Sequence, residues 1–456
     1  MGKQRDHAVV IGASVTGSMV AQALSTRFAT VTVIDRDELP NDFSTRKGVP
    51  QGRHAHGLLA AGERVMNDLF PGLNAELDAA GAFPVNQGQD ARWWWAGGYR
   101  VRYPSAYNGY FFTRPLHESV LRRRVVAAGN VELISGSVQG LVGNASEVRG
   151  VTVDGNTLAA DFVVDASGRS AQSLKWLREI GAEVPGEVDV TVGMTYASRL
   201  LRRGPSDPFG NEMIVTTPNL PSGKRLGVLF PVEDDQWIVT LGGFFNDQAP
   251  TDDAGFLAFA ESFATDDIAE VLRVTDPLTE IVTHKLVSSR RRSVQKLSAP
   301  PAGLALLGDT VASFNPIYGQ GMSSAALQVE AMGRWLDDGS ALDGASLKRL
   351  YKKVSKIVDV PWQISVGADF VYPETEGKRP PGVNVLNGYI TKVQQATHTS
   401  PEVCEAMLAV QNLVAPPPSL MKPTLMRKVR QAAKQSPAAK GTSSTAGVTS
   451  NAPARV

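Results

Sequence analysis

Cysteine is almost missing from this 456-residue chain, Cys404 being its only one. That excludes an intramolecular disulfide and speaks against a cysteine-based metal site; no metal is expected. No run approaches the roughly 20 apolar residues needed to span a bilayer. The N-terminus is polar as far as His7, so no signal peptide is expected and a cytoplasmic location is. Acidic residues stop at Glu405, whereas Lys422, Arg427, Lys428, Arg430, Lys434, Lys440 and Arg455 follow it. The chain's net charge of +1 less those seven leaves −6 on residues 1–405, with no basic stripe, so nucleic acid is not an expected partner. The basic segment 420–434 reads as a solvated terminal helix rather than a membrane contact. With 43% hydrophobic and 20% charged residues the chain is globular, and its length suits two closely packed lobes.

What is present begins with a fingerprint. Ala8-Val9-Val10-Ile11 has the pattern of a buried parallel strand. Gly12-Ala13-Ser14-Val15-Thr16-Gly17 follows, then a helical stretch to Leu24 and a second strand, Val31 to Asp35. This is the order of a dinucleotide site: a tight turn, a helix N-terminus for a pyrophosphate, and an acid for ribose hydroxyls. The second position expected to be glycine is Ser14, whose Cβ crowds a pyrophosphate but whose hydroxyl can donate to it.

The second signal lies some 300 residues on. An apolar strand ends at Gly308-Asp309, a loop passes Asn315, Pro316, Gly319 and Gly321, and a helix starts at Met322. An acid at a strand end beside a Gly-rich helix start suits a polyol and an electron-rich ring that takes up negative charge. With the N-terminal fingerprint, it points to FAD.

Between these signals, residues 43–62 form a long polar loop holding Arg46, His54 and His56, and long loops in compact domains are usually functional. Ala60–Leu69 reads as helix, and 91–103, with Trp93-Trp94-Trp95, as a strand pair. Residues 116–128 read as a helix with Arg114 just before it and Arg122–Arg124 on a solvated face. Asp161–Asp165 is a buried strand ending in Ala166-Ser167-Gly168-Arg169. Strand patterns at 188–201, 225–231, 236–245 and 281–288, with a helix at 254–263, mark an antiparallel-sheet lobe. The expected fold is α/β: a Rossmann-type FAD-binding domain interrupted by an antiparallel-sheet substrate domain, with a C-terminal helical region. Residues 1–185 form the first part of the FAD domain, with substrate-lobe strands inserted near 85–112. The sheet domain is 186–300, the second part of the FAD domain 301–340, the helical region 341–433, and a disordered tail 434–456.

The three markers Gly12…Gly17…Asp35, Asp165-Ala166-Ser167-Gly168-Arg169 and Gly308-Asp309…Pro316…Gly319-Gln320-Gly321 together resemble the single-component flavoprotein monooxygenases of the para-hydroxybenzoate hydroxylase type. Finer detail is similar to bacterial polyether-pathway flavin epoxidases, relatives of squalene epoxidase: Arg46–His56, Gly193–Leu200, Pro231–Thr240, Phe314–Ser323, Pro361-Trp362 and Asp369…Tyr372-Pro373. The resemblance implies that Gly12, Ser14 and Gly17 hold the FAD pyrophosphate and Asp35 the adenosine ribose. It implies that Arg114 contacts the phosphate or ribose region and that Asp309, after Gly308, binds the ribitol or pyrophosphate side. Pro316, Gly319, Gly321 and Met322 would border the isoalloxazine, Asp165 would support the cleft, and Arg46, His54 and His56 would lie near the flavin. Residues 290–297 lack the aromatic expected there.

The implied chemistry belongs to the cofactor. NADPH or NADH reduces FAD, O₂ gives a C4a-hydroperoxyflavin, and one oxygen atom passes to an alkene or ring of a large apolar, polyketide-like molecule. No protein nucleophile is needed and no catalytic residue is assigned. Two alternatives keep the fold: a redox-neutral [4+2]-type cyclase that uses FAD structurally, and a flavin reductase resembling geranylgeranyl reductase.

Overall fold

The computed structural model describes residues 5–40 and 42–437. The apolar runs at 8–11, 31–34, 162–164 and 304–306 are almost wholly buried, which is what a sheet covered on both faces requires. They form a five-stranded parallel sheet in the order β17-β11-β1-β2-β7, where β1 is Arg5–Ile11, β2 Phe28–Asp35, β7 Val131–Ser135, β11 Phe162–Asp165 and β17 Leu304–Leu306. Helices α1 (Val15–Ser25), α4 (Arg114–Val126) and α8 (Gly321–Asp337) pack around it, and α5 (Ser173–Glu179) follows β11. A meander of β8 (Val138–Asn144), β9 (Glu147–Val153) and β10 (Asn156–Ala159) lies beside it. Sequence order is thus broken as expected, β17 joining the sheet beside β11 after an excursion of about 140 residues.

That excursion supplies five strands of an eight-stranded sheet, β18-β16-β12-β15-β14-β13-β4-β5, to which β4 and β5 are added from before it and β18 from after it. Its members are β4 (Ala91–Trp95), β5 (Gly98–Tyr99), β12 (Glu187–Arg202), β13 (Met213–Thr216), β14 (Arg225–Val232), β15 (Gln236–Gly243), β16 (Val282–Arg292) and β18 (Ala312–Ser313). One face packs Ala197, Ile214, Leu229, Trp237, Val239 and Leu241 against α6 (Asp253–Glu261) and α7 (Asp267–Val274). Residues one register position away, Tyr196, Ser198 and Thr240, occupy the opposite face, towards the nucleotide-type domain. A ribbon of β3 (Phe83–Asn86) and β6 (Asn108–Phe111) lies against this second face through Phe111, stacked 4.2 Å from Phe230.

Arginines join the two domains. Arg292 donates to the Thr310 carbonyl (2.6 Å), to the Arg169 carbonyl (3.1 Å) and to Glu187 (2.8 Å), and Arg169 donates to Ser288 (2.8 Å). The stretch noted above for its missing aromatic is therefore a polar seam.

The C-terminal helices are α9 (Gly344–Asp369), α10 (Val383–Ala396), α11 (Pro401–Gln411) and α12 (Pro423–Ala433). Helix α12 buries Val429 and Ala432 in a cluster with Val393 and Ala396 of α10, so it is docked rather than solvated all round. Residues 438–456 of the expected disordered tail lie outside the described residues. Its start does not behave as expected: Ser436 is fully buried and its hydroxyl shares a 2.6 Å hydrogen bond with His398. Helix α2 (Ala60–Leu69), followed by α3 (Leu73–Ala79), begins on Asn412, whose side-chain oxygen accepts from Ala60 N (2.9 Å) and whose carbonyl accepts from Ala61 N (3.2 Å). No helix among the described residues is long and apolar enough to cross a membrane.

Candidate functional site

The site forms where the C-terminal ends of β1, β11 and β17 meet two helix starts. Gly12 follows β1 with φ +98, and a Cβ on it would lie 2.9 Å from the Ala166 carbonyl oxygen after β11. A Cβ on Gly17 would fall 1.8 Å from the Gly12 carbonyl oxygen, so only glycine lets α1 start against β1. Gly308, φ +67, stands after β17, and a Cβ there would lie 2.7 Å from Thr16 Cγ2. The three loops are thus pressed together by backbone approaches that side chains would block. Ser14 is the N-cap residue of α1, but its hydroxyl makes no capping bond and no acid sits in the first turn. The first N–H groups of α1 keep the positive end of the helix for a ligand.

The second helix start is α8. Asn315 caps a short 3₁₀ turn, Pro316–Tyr318, its oxygen accepting from Ile317 N at 3.3 Å. Gly319, φ +65, ends that turn, and Gly321 opens α8 followed by Met322. Gln320, the N-cap, is buried, makes no capping bond and leaves its Oε1 without a partner. Asp309 stands by this end, its Oδ1 3.9 Å from where a Cβ on Gly321 would be. Burial pushes the Asp309 carboxyl up from its usual range, while Arg114 and Arg169 pull it down. Those two arginines bracket the acid electrostatically.

Asp35, at the end of β2, accepts from Ala13 N (2.7 Å), Asp37 N (3.0 Å) and Arg46 Nη1 (3.1 Å). It anchors the glycine turn. Arg46 also donates to Asp37 (3.2 Å) and through Nε to Glu118 (3.1 Å), and its buried Nη2 has no partner. Arg114, the first residue of α4 rather than a neighbour of that helix, donates through Nε to the other Glu118 oxygen at 2.8 Å. Glu118 was not singled out from the sequence, yet it fixes both arginines. Burial acts to raise its pKa, but Arg114 and Arg46 outweigh that and hold it below the usual carboxylate range. Arg122, expected on a solvated face, is buried and reaches the Pro40 carbonyl. Asp165 is fully buried and accepts from Ser167 N (2.9 Å) and Ser167 Oγ (2.6 Å), shaping the turn after β11 from beneath.

The histidines form a separate group on the large sheet. His54 shares a 2.7 Å hydrogen bond with Ser198, which in turn bonds Thr240 at 2.6 Å. Its ring lies 5.7 Å from His284 and 5.9 Å from Tyr196. His56 Nδ1 bonds the His54 carbonyl at 2.8 Å. Burial, reinforced by neighbouring histidines and arginines, lowers His54 to about 3 and His56 to about 4. Both are neutral imidazoles near pH 7, able to orient a group but not to carry positive charge. His284, on β16, completes the group, although its sequence spacing gave no sign of it, while His117 is fully buried on α4, its ring 4.4 Å from Phe112. Arg46 stands with Asp35, apart from His54 in the contacts it makes.

No family model matches the chain. Among solved structures, a flavoprotein/dehydrogenase from Cytophaga hutchinsonii aligns with TM-score 0.65 at 16% identity, over 94% of this chain and 99% of its own. PqsL, a probable FAD-dependent monooxygenase from Pseudomonas aeruginosa, gives 0.58 at 17%, over 80% and 97%. The Diels-Alderase PyrE3 of pyrroindomycin biosynthesis gives 0.61 at 15%, over 89% and 80%. The fold is therefore that of the FAD-binding flavoproteins, a mixed α/β architecture with a parallel Rossmann-like sheet, separate antiparallel sheets and C-terminal helices. In sequence, Protein Rv3254 of Mycobacterium tuberculosis is 33% identical over 389 residues, covering 82% of either chain. With that identity and coverage, the chain belongs to the family of Protein Rv3254.

Proposed function

We propose that the chain is an FAD-dependent monooxygenase that uses NADPH or NADH and O₂ to place one oxygen atom on an alkene or ring of a large apolar, polyketide-like molecule. The observation that carries this reading is the convergence of two uncapped helix starts, α1 and α8, with the ends of β1, β11 and β17. FAD, when bound, supplies the redox chemistry and the activation of oxygen.

The residues present fit that cofactor. Gly12 and Gly17 keep the backbone open for a pyrophosphate, and Ser14 has an unused hydroxyl beside it. Asp35 and the unpartnered Nη2 of Arg46 offer an acceptor and a donor to the adenosine ribose and its phosphate. Asp309 and Arg114 serve the ribityl and pyrophosphate side in the same way, with Asp165 supporting the turn between. The α8 N-terminus, reached through Pro316, Gly319, Gly321 and Met322, stabilises negative charge on an electron-rich ring. His54 and His56, being neutral, orient neighbours and leave proton movement to other groups.

We assign the acceptor side to the apolar cluster of Tyr196, Leu226, Phe244 and Tyr372, with Ile317 of the α8 loop packed against it. Hydrocarbon walls exclude water and position an apolar acceptor. The balance is one O₂ and one reduced nicotinamide with a proton, giving one oxygenated product, oxidised nicotinamide and water.

The test is anaerobic mixing of the purified yellow protein with NADPH, then admission of O₂ with a linear polyene. The expected result is bleaching, followed by one O₂ consumed per oxygenated product. A protein that carries no flavin, or whose flavin neither NADPH nor NADH bleaches, refutes the reading. Conversion of the polyene without oxygen uptake establishes instead the redox-neutral cyclase, the second reading, which the likeness to a Diels-Alderase keeps in view.

A further inference from the structure

Asp369 is the last residue of α9 and is fully buried. Its Oδ1 accepts from Asn315 Nδ2 and from the Tyr318 hydroxyl, both at 3.1 Å. Its Oδ2 is also buried and has no partner. The Tyr196 hydroxyl, on the inner face of β12, is likewise buried and without a partner. The carboxylate acts electrostatically on both Tyr196 and Tyr318. Tyr196 packs with Met194, Leu226, Phe244 and Ile317, the neighbour of Tyr318, and the Tyr372 hydroxyl is already committed to the Gly223 carbonyl at 2.8 Å.

The 315–318 loop reaches both groups, bonding Asp369 through Asn315 and Tyr318 and packing Ile317 in the cluster of Tyr196; an unmet buried acceptor and an unmet buried donor are costly, and native proteins rarely leave either. A hydroxyl group meets both needs, donating to the carboxylate and accepting from the phenol. We propose that Asp369 and Tyr196 form a polar clamp for one hydroxyl group of an otherwise apolar substrate. The clamp rests on the reading that the 315–321 loop borders the flavin, because that loop holds Asp369 through Asn315 and Tyr318 and so fixes the hydroxyl relative to the ring.

Protonation supports the assignment. Burial raises the Asp369 carboxyl to about 7, against the pull of Asn315 and Tyr318. Burial, then Asp369, pushes the Tyr196 phenol well up, so it stays an O–H donor.

The experiment is calorimetric titration of the purified protein, above pH 7, with 1-decanol and with its methyl ether. The ether keeps the accepting oxygen and loses the donor. Wild type is expected to bind the alcohol about tenfold more tightly. Tyr196→Phe, whose lost oxygen bonds nothing in the protein, should weaken alcohol binding by roughly that factor and leave the fold intact. Asp369→Asn should reduce the preference for alcohol over ether below about twofold. Equal binding of alcohol and ether by wild type, or undiminished alcohol binding by Tyr196→Phe, overturns the clamp and leaves the pair as a site for ordered water. The two readings fail separately: a colourless protein that still prefers the alcohol loses the flavin assignment and keeps the clamp.

Discussion

Glu118→Gln is the sharpest test of how the nucleotide end of the site is built. Glu118 is 5% exposed and uses one oxygen for each arginine, Oε1 for Arg114 Nε and Oε2 for Arg46 Nε. Glutamine keeps the shape but has a single acceptor oxygen, so one guanidinium must face an amide NH₂. Breaking one side of a buried ion pair costs about 3–5 kcal/mol. At about 2–4 °C per kcal/mol for a domain of 150–250 residues, the melting temperature should fall by roughly 6–20 °C. Flavin content should fall too, because Arg114 is also one of the two arginines that act on Asp309. A pH series adds a sign. The folded pKa of Glu118 is depressed, so its contribution is complete above the ordinary value of 4.5 and is lost as pH falls through the folded value. The gap between wild type and variant should therefore be full at neutral pH and close in the acid range below 4.5. A melting temperature within 2 °C of wild type at neutral pH (about 1 kcal/mol or less), with normal flavin content, would refute the reasoning.

Two further substitutions address the cofactor directly. Gly17→Val puts a Cβ where the Gly12 carbonyl oxygen now stands 1.8 Å away, forcing the start of α1 off β1; the purified variant should carry no flavin, and a fully yellow variant contradicts the fingerprint. Asp309→Ala should lower flavin occupancy with little loss of stability, because its carboxylate accepts no hydrogen bond from the described residues and meets Arg114 and Arg169 only electrostatically; unchanged occupancy and spectrum would remove Asp309 from the site.

Much of this architecture was legible in sequence because its signals are local. The run Ala8–Ile11 followed by Gly12, Gly17 and Asp35 is a complete strand–turn–helix–strand sentence, and the break before Leu304 follows from a second, equally local, sentence. Glu118 was not legible, because its meaning depends on Arg46 being brought 72 residues across space, and the neighbouring Arg122–Arg124 run looked like a solvent face. Strand β13 is only four residues long and pairs in parallel with β4, more than a hundred positions earlier, so no local periodicity announces it. The histidine group is a product of register: His284 lies opposite Tyr196 across β16 and β12, a pairing that spacing along the chain does not encode. Ser436 was read as tail from the Ala/Ser/Thr-rich composition around it, but one buried hydrogen bond to His398 outweighs composition.

The cap that Asn412 places on α2 has a consequence for biogenesis. Its hydrogen bond to Ala60 spans 352 positions, and the nucleotide-type sheet itself lacks its edge strand until Leu306 has been made. A growing chain therefore keeps an open sheet edge until Leu306 has emerged, and an unfinished α2 start until Asn412 has. Synthesis arrested before Asn412 leaves α2 without its cap, and arrest before Leu306 leaves the sheet edge open as well, the kind of species that chaperones hold and proteases clear.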